Sequence, residues 1–312
     1  MVYYLGIRPI ITSPIDEPAY IRSYSIKSED LQKHVAFLTN LTPFRNVEHP
    51  ESLNAAADYI EKEWTSIGLH VEQQKYLLNG KEYKNLIVRF GPATPNIIIV
   101  GAHYDVCLEQ SGADDNASGV SGLIELARLL QKYQGKFIKQ IQLVAFTLEE
   151  PPTYRTEYMG SFIHAKSIHD RNLNVDLMIS LEMIGYFSEE KNTQNFPIEL
   201  LKLHYPTIGN FIALVSNIEN RQLVKEVKTD MKKYSLVPVF SINGPNMIPG
   251  IDYSDHRSYW KFGFENAMML TDTSFYRNHN YHLPSDTADT LNYVKMSEVI
   301  SGVFGMLIQM TK

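Results

Sequence analysis

Among the 312 residues there is one cysteine, Cys107, so no disulfide can close within the chain. Nowhere do 18 apolar residues run together, so no segment reads as a membrane-spanning helix. Positive charge is in short supply: 29 Lys and Arg stand against 35 Asp and Glu, a formal net charge of −6. That balance argues against a general nucleic-acid surface. Met1 to Thr12 lacks the basic start and cleavage pattern of a secretory signal. The location is cytoplasmic on the numbering as it stands, or exported if a leader was removed. Three chemical signatures are also missing. There is no His-Glu-x-x-His helix, no Gly-x-Ser-x-Gly elbow and no Gly-rich phosphate loop. A single-zinc helical protease, a serine hydrolase of the elbow type and a phosphate-loop enzyme are thereby disfavoured.

A hydrophobic share of 44% is ordinary for a chain with a sizeable core. Residues 1–27 are proline-bearing and aperiodic, and are expected to form an extended arm. Ser28 to Leu41 and Glu51 to Ile67 read as helices; in the second, Ala56, Tyr59, Ile60, Trp64 and Ile67 share a face and Gly68 stops it. Leu69 to Tyr76 and Asn85 to Phe90 read as strands around an Asn79-Gly80 turn. Strands are expected at Ile97 to Gly101, Ile141 to Thr147, Leu177 to Ile184, Phe211 to Val215 and Asn266 to Thr271. Helices are expected at Val120 to Tyr133, Ser161 to Ile168, Asn220 to Tyr234 and Met296 to Met310. Alternating strands and helices are the mark of a layered α/β fold. The expectation is one domain over residues 1–312, three layers of α/β/α around a mixed, mostly parallel sheet. Residues 187–208 and 236–260 read as loops over the site.

Chemistry gathers at the ends of these strands. His103 and Asp105 follow the apolar run from Ile97, and Gly112-Ala113-Asp114-Asp115-Asn116-Ala117-Ser118-Gly119 forms an acidic, Gly-flanked loop. In open α/β sheets ligands bind beyond the carboxyl ends of the strands, and imidazole with carboxylates suits zinc, with manganese or cobalt as alternatives. Glu149 and Glu150 follow the next apolar run; alone they would read as a solvated turn. Together they can divide two tasks, one binding metal and the other moving a proton. Glu182 ends the apolar run from Leu177, where an acid is costly unless paired or metal-bound. His282 precedes a Pro284-Ser285-Asp286 turn. These features at one sheet edge fit a closely spaced two-metal hydrolase site. Cys107, close to the acidic cluster, is either a metal ligand or nucleophile or simply a small side chain lining the loop. Asn40-Leu41-Thr42 and Asn116-Ala117-Ser118 match glycosylation acceptors; a sugar on the second would sit inside the loop, so both read as chance.

In order and spacing these motifs resemble the co-catalytic two-zinc exopeptidases, which include bacterial leucyl-type aminopeptidases, glutamate carboxypeptidases and the divergent glutaminyl cyclases. The resemblance is carried by Gly-Ala-His103-Tyr-Asp105, the Asp115-Asn-Ala-Ser-Gly step, Glu149-Glu150 followed by Gly160-Ser161, Leu-Glu182-Met-Ile-Gly, Ser254-Asp255-His256 and Tyr281-His282. It implies two zinc ions per chain. Asp115 would bridge them, His103 and Glu182 would complete one position, and Glu150 and His282 the other. Asp105 would orient His103, Glu149 would act as general base, Tyr281 would steady the oxyanion, and His256 would lie near the substrate pocket. The implied substrate is a peptide with a free amino terminus; oligomeric state is left open. A glutaminyl cyclase with one zinc, and a non-catalytic binding relative, are the competing readings. Two departures stand out: Glu182 replaces the more usual Asp, and the 151–159 segment before Gly-Ser is longer than usual.

Overall fold

A computed structural model describes residues 19–311. Residues 1–18 of the expected arm lie outside the described part. One eight-stranded sheet runs through the molecule in the order β1-β2-β4-β3-β5-β8-β6-β7. Its strands are β1 (Glu72–Leu78), β2 (Lys81–Phe90), β3 (Asn96–His103), β4 (Gln140–Phe146), β5 (Asn174–Glu182), β6 (Ile212–Ser216), β7 (Val239–Asn243) and β8 (Ala267–Thr271). The helices are α1 (Ser28–Thr39), α2 (Pro50–Thr65), α3 (Gly119–Gln131), α4 (Gly160–Asp170), α5 (Arg221–Lys232), α6 (His256–Trp260) and α7 (Tyr293–Met310).

The central strands β4, β3, β5 and β8 are mutually parallel, β1, β2 and β4 pair antiparallel, and β6 lies antiparallel to β8. Because side chains alternate along a strand, β3 feeds both faces. Ile98, Val100 and Ala102 join a core shared with α1, α2, α3 and α7, while Ile97 and Ile99 pack with Ala165, Ile168 and Tyr259 of α4 and α6. Both faces are therefore covered, which is why β3 is apolar from Ile97 to Ala102 instead of alternating. The β1–β2 hairpin turns through Asn79 (φ 52°) and Gly80 (φ 79°), the left-handed pair that a two-residue hairpin requires.

One stretch departs from the expected loops. Residues 236–260 contain β7, an edge strand beside β6, and the short helix α6. Burial alternates along the five residues of β7, but Ser241 and Asn243 are among the buried ones, and α6 spans little more than one turn, so neither has a strong periodic signal.

Gly101 shows how tightly β3 meets its neighbour. A Cβ there would lie 2.2 Å from Cε2 of Phe146. Gly101→Ala is expected to destabilise the protein by about 1–3 kcal/mol through overpacking. Phe146→Leu should relieve part of it, so the double variant should lose less than the sum of the single losses in urea unfolding. Strict additivity would show that Phe146 is not the obstacle.

Candidate active site

The carboxyl ends of β3, β4 and β5 open onto one buried space. His103 is the last residue of β3, Glu182 the last of β5, and Glu149 and Glu150 follow β4. Three of the reversals that aim these side chains use left-handed non-glycine residues: Leu148 (φ 58°), Met183 (φ 49°) and His282 itself (φ 58°). Such conformations cost about 1–3 kcal/mol each and persist where the surroundings enforce them.

Asp115 sits in the middle. Its Oδ1 is 3.3 Å from His103 Nε2 and its Oδ2 is 3.1 Å from His282 Nε2. Glu182 Oε2 lies 3.4 Å from His103 Nε2, and Glu150 Oε2 lies 3.4 Å from His282 Nε2. Asp115 thus presents one oxygen to each histidine, and each histidine has a second carboxylate beside it. Asp114 faces elsewhere: its oxygens accept from the Gly185 N–H (2.9 Å) and Asn278 Nδ2 (2.8 Å). Asp105 accepts the Glu149 and Glu150 N–H groups at 3.0 Å each, and its Oδ1 is 3.4 Å from His103 Nδ1. One carboxylate therefore fixes the turn that carries both glutamates and lies beside the imidazole.

The Asn-Ala-Ser-Gly step is a clamp. Asn116 Nδ2 donates to Leu181 O (2.8 Å), and its Oδ1 accepts from the N–H groups of Gly119 and Met183 (3.1 Å each). Ser118 Oγ accepts from Ile184 N (3.0 Å). The acidic loop is thereby fastened to the end of β5, which sets Asp115 near Glu182. Asn116 is fully buried, which leaves no room for a sugar.

Two supports escaped the sequence reading. Asp286 accepts the N–H groups of Asp114 (2.9 Å) and Asp115 (3.1 Å). Arg45, itself buried, donates to the carbonyls of Tyr104 (2.9 Å), Leu38 (3.1 Å), Ser111 (2.5 Å) and Gly112 (2.6 Å). Nothing local marks either role. Arginine in a proline-bearing loop is ordinarily a surface residue, and the partner of Asp286 lies far away in the chain.

Burial governs the electrostatics. Desolvation pushes Glu149 well above the ordinary carboxylate range and raises Glu150 to about 8, with Asp115 adding to the shift at Glu150. Burial would raise Asp115 as well, but the two facing imidazoles more than offset it and hold that carboxylate low. Burial alone would lower His103 and His282, yet Glu182 and Asp115 respectively lead the effects that raise them. His103 Nε2, Asp115 Oδ2, Glu150 Oε1 and His282 Nε2 have no hydrogen-bond partner among the described residues. Buried polar atoms in that state need a partner. Imidazole nitrogens and carboxylate oxygens that converge without one fit a divalent cation such as zinc.

Beside this cluster lies a cleft with Glu182 and Tyr281 on its wall. Ala213, Val215, Phe240, Ile242 and Met269 from β6, β7 and β8 line it, facing Phe196, Tyr205 and Phe275. Tyr281 stacks on His282 with ring centroids 3.8 Å apart. His256 is not a lining residue. Its Nε2 hydrogen-bonds Ile251 O (2.8 Å), so it holds a residue that lines the cleft, and burial lowers it to about 4. Its neighbour Ser254 donates to Glu182 Oε2 (2.7 Å). The long 151–159 segment braces the same cleft, since Arg155 Nη2 pairs with Asp252 at 2.7 Å and its guanidinium sits 5.1 Å from the ring of Tyr253.

A layered α/β sheet with a buried histidine and carboxylate cluster at its strand ends defines a metal-dependent hydrolase. Residues 85–306 match the family model described as Peptidase family M28, and the chain belongs to that family. The family is one of peptidases, and relatives of this chain at 24–26% identity carry leucine aminopeptidase names. The chain is 44% identical to the protein YfbL of Escherichia coli over 89% of this chain and 87% of that one. It is 25% identical to a probable leucine aminopeptidase of Arthroderma otae over 86% of this chain and 70% of that one. Among solved structures it resembles the LapA protein of Legionella pneumophila (TM-score 0.72, 19% identity, 92% of this chain and 74% of that one). It also resembles a glutaminyl cyclase of Bacteroides thetaiotaomicron (TM-score 0.68, 17% identity, 92% and 99%). These two likenesses speak for the fold.

The raised carboxylates have a consequence for stability. A group whose folded pKa exceeds its ordinary value contributes stability that is present at low pH and lost as pH rises through the folded value. Glu150 at about 8, and Asp255 and Asp286 at about 7, all have this sign. His164 and His256, held neutral by burial at about 3 and 4, have the opposite sign, but their effect is essentially complete near the ordinary histidine pKa of about 6.5. Metal-free protein should therefore lose thermal stability as pH rises from about 6.5 to about 8, and the Tm increment from added zinc should grow over the same interval. Calorimetry at matched ionic strength checks both, and a zinc increment independent of pH would contradict the burial argument.

Proposed function

We propose that this peptidase is a zinc-dependent aminopeptidase that binds two ions per chain. The observation that carries the reading is Asp115, whose two oxygens face two different histidines, each with a second carboxylate alongside. His103, Asp115 and Glu182 would hold one ion, and Asp115, Glu150 and His282 the other. Zinc bound there supplies Lewis-acid polarisation of the scissile carbonyl and acidifies the attacking water. The remaining work belongs to the chain. Glu149, whose proton affinity is raised by burial, takes the proton of the attacking water and returns it to the leaving amine. Tyr281, on the wall of the cleft beside His282, steadies the developing oxyanion. Asp105 holds the Glu149–Glu150 turn and fixes the tautomer of His103. The apolar cleft receives the first side chain of a peptide with a free amino terminus, in keeping with the relatives named leucine aminopeptidases.

Glutaminyl cyclization is the second reading, since proteins named glutaminyl cyclases share this fold over nearly their full length. A panel of amino-acid anilides and amino-terminal glutaminyl peptides, assayed with elemental analysis, separates them. Two zincs with release of the first residue supports the aminopeptidase, and one zinc with ring closure the cyclase. The two adjacent glutamates give the sharper test. Glu149→Gln should keep near-normal zinc while turnover falls at least about a hundredfold, the lower end of what general acid–base catalysis contributes. Glu150→Gln should lose zinc as well as rate. A Glu149→Gln protein with full activity would remove that residue from the mechanism.

A further inference from the structure

Cys107, the lone thiol of the chain, lies in the loop between β3 and the acidic turn and is 5% exposed. Its Sγ, a carboxylate oxygen of Glu150 and a ring nitrogen of His282 all lie within 4.8 Å of one another. Two further observations make this more than a cysteine near a site. Glu150, only 4% exposed, has an Oε1 without a hydrogen-bond partner, and His282 Nε2 also has none. Asp115 Oδ2, likewise without a hydrogen bond, is 3.1 Å from that same His282 Nε2. One sulfur, one carboxylate oxygen and one imidazole nitrogen therefore surround a single point, and Asp115 reaches the same imidazole from the acidic loop.

We infer that Cys107 is a fourth protein ligand of the metal position formed by Asp115, Glu150 and His282, and that it binds a thiophilic divalent cation as the thiolate. The inference rests on the metal reading proposed above and deepens it. Four protein donors leave a fifth place for water in the five-coordinate arrangement that catalytic zinc can adopt, and sulfur adds about 0.3 Å to one bond relative to nitrogen or oxygen. On loading, the thiol proton leaves to solvent, a sulfur–metal bond forms, and one water leaves the hydrated ion. The two positions consequently differ in kind. The one at His103 and Glu182 has nitrogen and oxygen donors only, whereas the one at His282 carries a soft donor and selects zinc, cobalt or cadmium over magnesium or manganese.

Cobalt(II) makes the difference visible. Full-length protein, stripped of metal and loaded with two equivalents of cobalt, should show a thiolate-to-cobalt charge-transfer band in the near ultraviolet. The band should vanish in Cys107→Ser. On zinc loading, Cys107→Ser should retain one ion through dialysis against a moderate chelator and lose the other at least ten times faster than the unaltered protein. The spectrum of the unaltered protein is decisive even if Cys107→Ser fails to fold. Two bound cobalt ions without a charge-transfer band would overturn the cysteine ligand and leave the two-metal reading standing. Failure to bind two ions, shown by elemental analysis, would overturn both.

Discussion

Asp115, Glu150 and Glu182 repel one another across a space from which burial has removed water, and the surrounding structure is arranged to hold them there all the same. The charge supplied from outside the cluster is sparse. Arg45 lies beneath the loop with its guanidinium taken up by four carbonyls, and burial lowers even its pKa to about 10. Arg277 serves the neighbouring pair Asp114 and Asp272, where burial raises Asp272 to about 6. What remains falls to His103, His282 and whatever cation they help to bind. Taking one partner from a buried charged group is far costlier than never burying it, so the hydrogen bonds of Asp105, Asp286 and Asn116 act chiefly to keep these groups from moving apart.

The same logic explains the strained reversals. Leu148 and Met183 take left-handed conformations immediately before and after residues of the site. Each turns a strand abruptly so that a carboxylate points into the cluster and not along the sheet. The cleft beside it is built on the opposite principle. Its floor is the apolar side of β6, β7 and β8, and its walls come from segments held by ion pairs such as Arg155–Asp252.

Much of this was legible in the sequence because burial on both faces of a parallel sheet leaves nearly unbroken apolar runs. Ile97 to Val100, Ile141 to Phe146 and Leu177 to Leu181 announce strands, and the polar residues at their ends announce a site. Asp115 could be told from Asp114 only through the resemblance to a known family, since two adjacent aspartates carry no periodic signal. β7 escaped because its five residues between Pro238 and Gly244 are short and do not alternate in polarity. Arg45 and Asp286 escaped for a different reason: their work is defined by partners distant in the chain, and no local pattern encodes a carbonyl or N–H that another segment will present.

That distance has a bearing on how the molecule comes into being. Asp286 grips the backbone of Asp114 across 172 positions, and His282 stands against Asp115 from the same late segment. Ribosomes deliver about 5–20 residues per second, so a growing chain carries His103, Asp115 and Glu150 for many seconds before their counterparts emerge. During that interval the acidic loop has neither its carboxylate anchor nor its second histidine. Assembly of the centre therefore waits on residues 282–286, made long after the acidic loop that they complete.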